Sequence, residues 1–211
     1  MPAGSTPGIV RVEDDNNITV NYSNRFTIYD EGENTGKPMI QQKKIVTSKK
    51  IPKIGVMLVG LAGNNGSTFV AGILANREKM TWDTKNGQSS ANFFGSFTQS
   101  ATTHVGYKFD ETTGNLKDVH KPIKEIVPLA NPCDFEISGW DINDMNLYEA
   151  TKQARVLEPT LLSQLKDKLE AIKPLPAALN PDFIAANQSD RANNVLTGTN
   201  QELIDAIRKD I

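Results

Sequence analysis

The chain has 211 residues, with 23 Lys and Arg against 25 Asp and Glu, a net charge of −2, and 38% hydrophobic residues. That balance is ordinary for a soluble globular protein and lacks the basic face or stripe of a nucleic-acid binder. Cys133 is the single cysteine, which excludes an internal disulfide and a cysteine-based metal cluster, and no apolar run approaches the roughly 20 residues of a membrane-spanning helix.

The opening "MPAGSTPG" has no charged region followed by an apolar core, so it does not read as a secretory leader and the expected location is cytoplasmic. Residues 1–50 are polar and turn-rich. Two segments within them, "IVRV" (9–12) and "ITVNYSNRFTIYD" (18–30), carry the β-branched and aromatic residues of strands, and "EGENTGKP" after them reads as a loop. There are too few apolar residues for a separate core, so the region is expected to be a β arm or small antiparallel sheet.

The run "IGVMLV" (54–59) is almost wholly apolar, as in a strand of a parallel sheet buried on both faces. Gly60 to Gly66 interrupts it. Phe69, Val70, Ile73, Leu74 and Arg77 then recur at helical spacing. The pattern is strand, glycine turn, helix.

Residues 80–130 break the alternation. "DTKNGQSSANFFGSFTQSATTHVG" is so rich in Ser, Thr, Asn, Gln and Gly that it reads as a polar insertion with a binding or lid role. "CDFEISGWDI" (133–142) is a second strand ending at Asp141. Two helical patterns follow, the second with Pro159 in its first turn and Leu161, Leu165, Leu169 and Ile172 on one face. "PLPAALNP" ends it, and "DFIAA" (182–186) reads as a third short strand. Thr199 and Glu202 form a capping box for a last helix with Leu203, Ile207 and Ile211 on one face. That helix carries no stop signal before residue 211.

The fold class expected is therefore α/β: a Rossmann-like parallel sheet, the first part of a dinucleotide-binding domain and truncated, with an N-terminal β arm. The expected division is 1–50 for the arm and 51–211 for the incomplete domain, with the polar insertion at about 80–130.

A glycine turn delivering a strand to a helix N-terminus makes an anion site, because the first helical N–H groups lack partners and the macrodipole adds partial positive charge. Gly60 allows the sharp exit from the strand. Gly63 and Gly66 let a pyrophosphate approach the backbone, and Asn64 and Asn65 add amide donors. The match to G-x-G-x-x-G is partial, since Ala62 holds the second glycine position and Asn65 the third. A Walker loop fits worse, because no lysine precedes Ser67. A turn that binds nothing is the alternative.

Asp141 favours the cofactor reading. An acidic residue ending the second strand accepts hydrogen bonds from adenosine ribose hydroxyls and favours NAD over NADP, whose 2′-phosphate it repels. The competing reading is that Asp141 only caps a helix beginning near Asn143.

Four segments, "VMLVGLAGNNGST", "FFGSFTQSAT", "GWDINDMNL" and "PDFIAANQSDRANN", resemble segments of the myo-inositol-1-phosphate synthase (inositol-3-phosphate synthase) family in the same order. The resemblance implies an NAD-dependent isomerase. Such an enzyme converts glucose 6-phosphate to an inositol monophosphate by internal oxidation, aldol cyclisation and reduction, and assembles as a homotetramer. It implies Gly63, Asn64, Asn65 and Gly66 at the pyrophosphate, Asp141 at the ribose, and Ala177, Ala178, Gln188 and Arg191 as further cofactor contacts. Gln188 and Arg191 read otherwise as surface polars. His104 falls where the family commonly has arginine, and both histidines read as solvated loop residues. Ala62 stands where the family has glycine.

The family's catalytic lysines lie beyond residue 211, so no catalytic residue and no metal ligand is assigned. These residues alone are expected to be inactive. Two alternatives from other classes are a non-catalytic NAD-binding module and the cofactor domain of another NAD-dependent dehydrogenase.

Overall fold

A computed structural model describes residues 8–183 and 186–211. The strands are β1 (Gly8–Glu13), β2 (Asn17–Asp30), β3 (Thr35–Ser48), β4 (Gly55–Val59), β5 (Thr81–Thr84), β6 (Gly87–Ser90), β7 (Thr102–Asp110), β8 (Asn115–Pro122), β9 (Glu136–Asp141) and β10 (Leu175–Pro176). The helices are α1 (Asn64–Arg77), α2 (Phe97–Ser100), α3 (Ile123–Ile126), α4 (Leu147–Ala154), α5 (Pro159–Gln164), α6 (Lys166–Glu170) and α7 (Asn200–Asp210). Two compact units result. One holds the described part of Met1–Pro52 with Gly95–Ala130, and the other holds Lys53–Phe94 with Asn131–Ile211.

The first unit is built from antiparallel strands. β1, β2 and β3 form a sheet in that order, and β2 pairs with β3 along its whole length, from Asn17 opposite Ser48 to Asp30 opposite Thr35. The loop expected over residues 31–38 is thus only a tight turn. Asp30 Oδ1 accepts the N–H groups of Gly32 and Glu33, and Asn34 takes the left-handed conformation at φ 51°. β3 escaped the sequence reading because it is exposed almost throughout, so its Lys, Gln and Pro38 mask any apolar alternation. The second half of the expected polar insertion is also ordered: β7 and β8 pair antiparallel as a hairpin, with α2 and α3 at its base.

The second unit holds the parallel sheet, in the order β10-β9-β4 with every pairing parallel. In chain order that is third, second, first strand, the arrangement of the first half of a doubly wound sheet. Leu61, Val70, Ala71 and Ala75 from the turn and α1 pack with Leu147, Leu161, Leu165 and Leu169 from α4 to α6, with Leu58 and Ile137 of the sheet against them. One of the helical patterns is split into α5 and α6, and Leu165 at their junction is fully buried. Phe69, counted on the helix's apolar face, is exposed instead, while Gly66, Ser67, Val70, Ala71, Ile73 and Ala75 are buried. The Arg77 guanidinium closes α1, donating to the carbonyls of Cys133 and Phe135.

Two further expectations need correction. β4 is not buried on both faces: it is an edge strand of this sheet, and Val59 is 89% exposed. The third strand is Leu175–Pro176, inside the proline-rich stretch read as a helix terminator. Of "DFIAA", Asp182 and Phe183 lie in a turn, Ile184 and Ala185 fall outside the described residues, and Ala186 begins a short 3-10 helix to Arg191. Proline at the end of a two-residue strand hides it, because a proline inside a run argues against strand. α7 starts as expected: Thr199 N–H donates to Glu202 Oε2 at 2.7 Å and Glu202 N–H to Thr199 Oγ1 at 3.4 Å.

Candidate functional site

The glycine turn lies at the C-terminal edge of the parallel sheet, where open α/β sheets place their ligands. Gly60 leaves β4 at φ +83°, a left-handed conformation that a side chain would strain. Its N–H and that of Leu61 both donate to the Trp140 carbonyl, at 2.8 and 3.0 Å. Gly63 N–H then turns back onto the Gly60 carbonyl at 3.0 Å.

Gly63 is the N-cap of α1 and supplies no side-chain cap, and the first turn contains no acidic residue. The N–H groups of Asn64, Asn65 and Gly66, which point out of the helix end, thus keep the partial positive charge that an anion would meet. Gly66 is needed for another reason. A Cβ there would collide with the Leu61 carbonyl oxygen and lie 2.6 Å from that of Gly60. Ser67 and Thr68 face back into the helix, with Ser67 Oγ on the Gly63 carbonyl at 2.8 Å and Thr68 Oγ1 on that of Asn64 at 2.6 Å. Asn64 and Asn65 remain exposed.

Asp141 ends β9 beside this turn and is 4% exposed. Its Oδ2 accepts the Ala62 N–H at 2.9 Å and its Oδ1 accepts that of Asn143 at 3.1 Å. The carboxylate therefore pins the turn as well as facing it. It does not cap the following helix: that helix starts at Leu147, and Asn146 caps it by accepting the Glu149 N–H at 2.9 Å.

Pro176 pairs with Asp141, so the end of β10 joins the same edge. Ala177 N–H donates to the Asn194 carbonyl and its carbonyl accepts from Leu196 N–H, so its backbone donor is engaged within the fold. Ala178 is exposed. Gln188 and Arg191 lie on the 3-10 helix, half-buried and exposed respectively. Missed in the sequence were the asparagines of "DIND" and "RANN". Asn194 Nδ2 donates to the Asp141 carbonyl at 3.0 Å and to that of Leu175 at 3.2 Å, bridging two strand ends. Short amides just after strand ends were the available signal.

The loop reading of His104 and His120 needs correction: both are strand residues, opposite each other on β7 and β8, with His104 Nε2 3.1 Å from Asp118 Oδ1. Among the described residues no group of three or more His, Cys, Asp or Glu is placed to hold a metal ion.

An uncapped helix N-terminus after a glycine turn, an acidic residue ending the neighbouring parallel strand and the sheet order third-second-first define a dinucleotide-binding domain of the Rossmann type. The residues fit such a ligand because Gly63 offers no side chain between it and the helical N–H groups. Residues 54–211 match the NAD-binding domain described as myo-inositol-1-phosphate synthase, and the chain belongs to that family. It is 49% identical over 165 residues to inositol-3-phosphate synthase 1 of Oryza sativa subsp. japonica, covering 78% of this chain and 31% of the relative. It is 40% identical over 212 residues to the synthase of Mesembryanthemum crystallinum, covering 98% and 40%. The crystal structure of inositol-3-phosphate synthase from Caenorhabditis elegans superposes with a TM-score of 0.83 at 45% identity, covering 98% of this chain and 41% of that one. The chain thus spans roughly a third to two fifths of the length of these relatives.

Proposed function

We propose that the chain acts as the NAD-binding portion of an inositol-3-phosphate synthase, whose complete form isomerises D-glucose 6-phosphate to 1D-myo-inositol 3-phosphate. The observation that carries this is the uncapped N-terminus of α1, framed by Gly60 and Gly66 and set beside Asp141. Bound NAD supplies a hydride acceptor and later a hydride donor. The N–H groups of Asn64, Asn65 and Gly66, reached over Gly63, hold the pyrophosphate. Asp141 takes the adenosine ribose, with Ala177, Ala178, Gln188 and Arg191 lining the adjoining side. Ala177 contributes van der Waals contact, since its N–H is already bonded.

No residue within 1–211 is assigned to proton transfer, to stabilising the developing enolate or to clamping the sugar phosphate, and that chemistry needs placed groups. The complete enzyme is an intramolecular lyase of inositol and phospholipid biosynthesis, a cytoplasmic homotetramer without nucleic-acid or membrane partners. A non-catalytic NAD-binding module is the runner-up. Similarity to synthases over 98% of the chain weighs against another dehydrogenase.

The test is to titrate the purified chain with NAD and to assay inositol phosphate formation from glucose 6-phosphate. NAD binding without turnover is expected. Turnover that persists after contaminating enzyme is removed would place catalytic residues within 1–211, and absence of NAD binding would overturn the cofactor reading.

A further inference from the structure

The strand end that carries Asp141 is tied to the segment 191–194 at every one of its next positions. The Asp141 carbonyl accepts Asn194 Nδ2 at 3.0 Å, and the Ile142 carbonyl accepts the Asn194 N–H at 2.9 Å. Asn143 Nδ2 donates to the Arg191 carbonyl at 3.1 Å. Asp144 and Asn193 close a two-bond ring: Asp144 N–H donates to Asn193 Oδ1 at 3.1 Å, and Asn193 Nδ2 donates to Asp144 Oδ1 at 2.8 Å.

These ties reach a neighbouring segment whose described side chains are mostly exposed. Asn187, Ser189, Asp190 and Arg191 are exposed on the 3-10 helix that also bears Gln188. Arg191 is anchored by its own carbonyl while its guanidinium faces outward. A backbone held by polar ties, with side chains left for a ligand, is a preorganised contact.

We infer that Asp144 and Asn193 form a latch that positions Gln188 and Arg191 against the adenosine side of the cofactor, making Asn193 a positioning residue for NAD binding. The inference rests on the cofactor reading above. Its chemistry is directional. Asn193→Asp removes the only side-chain donor from the ring, leaving the Asp144 N–H, and sets two carboxylates against each other. Asp144→Asn keeps an acceptor at Oδ1 and is silent. The double variant regains a donor, now from position 144, and restores the wild-type net charge.

The experiment uses the 211-residue chain and its three variants, with NAD as the probe, read by titration calorimetry. Tryptic cleavage after Arg191 is followed by mass spectrometry, and circular dichroism melts check the fold. Asn193→Asp should cleave faster after Arg191 and bind NAD about tenfold more weakly, the scale of losing one or two net hydrogen bonds. Asp144→Asn should match wild type, and the double variant should recover both readouts. Faster cleavage with unchanged NAD affinity would overturn the positioning role while leaving the cofactor site standing. Unchanged cleavage would overturn the latch. Failure of wild type to bind millimolar NAD would overturn the cofactor reading and the positioning role together.

Discussion

The Asp141 carboxylate accepts the backbone N–H of Ala62, 79 residues earlier in the chain, at 2.9 Å. One buried side chain thus couples the end of the second parallel strand to the glycine turn of the first. Removing it should be felt twice. Asp141→Ala leaves the Ala62 and Asn143 N–H groups without their acceptor, and hydrogen bonds to a charged group contribute about 1.5–3 kcal/mol. A stability loss of that order is expected in urea denaturation.

The same carboxylate is proposed to set cofactor choice. Wild type should bind NAD more tightly than NADP, and Asp141→Ala should weaken NAD binding and erase the preference. Titration of both cofactors decides it. Equal wild-type affinities would remove Asp141 from the ribose role and leave it as a pin for the turn.

Ala62→Gly should move binding and stability in opposite directions. If the methyl crowds the proposed pyrophosphate position, its removal should tighten NAD binding by about 1 kcal/mol, the scale of a local packing conflict. A glycine also frees the unfolded chain, so stability should fall by about 0.5–1 kcal/mol. Unchanged affinity would show that the turn already suits alanine.

Gly66 and Gly139 are predicted to be the least tolerant glycines of the second unit. A Cβ at Gly66 meets two carbonyl oxygens of the turn, and one at Gly139 meets the Leu58 backbone, with its nitrogen only 2.8 Å away. Neither obstacle is a flexible side chain, so β4 must separate from β9 or α1 must shift. Alanine at either position should cost at least the 1–3 kcal/mol typical of overpacking. A melt indistinguishable from wild type would contradict the close approach. Gly72, with open space around its Cβ position, serves as the control.

Glu202 makes the last helix sensitive to acid. The Thr199 N–H and hydroxyl both bond its carboxylate and hold its pKa below the ordinary 4.5. A lowered folded pKa means the contribution is complete above about 4.5 and is lost as pH falls through the folded value. Trp140 reports on it, since its Nε1 donates to Asp210 Oδ2 at 2.6 Å near the end of α7. Tryptophan fluorescence should change on acidification below pH 4.5, and Glu202→Gln should blunt that change. An identical titration in the variant would separate α7 from this residue.

Much of the second unit was readable from sequence because its signals are local. The glycines after "IGVMLV", the i, i+3, i+4 spacing of Val70, Ile73 and Leu74, and the Thr199–Glu202 box each lie within one or two turns of chain. The positions of Gly60, Gly63, Asn64, Asn65 and Gly66 at one helix end follow from that spacing alone. β3 and β10 were not readable. The first is exposed on both sides and the second is two residues long with proline, so each exists only through its partner strand.

The sequence by itself therefore determined the strand–turn–helix proposed as the anion site, the acidic end of the second strand and the family. Tertiary structure alone decided that Asp141 pins Ala62, that Asn194 bridges two strand ends, and that Gly95–Ala130 groups with the N-terminal strands. The physical reason is the reach of the interactions. Turn and capping preferences are set by neighbours in the chain. A carboxylate's choice of N–H 79 residues away, or a polar strand's pairing, is set only once loop closure has brought the partners together.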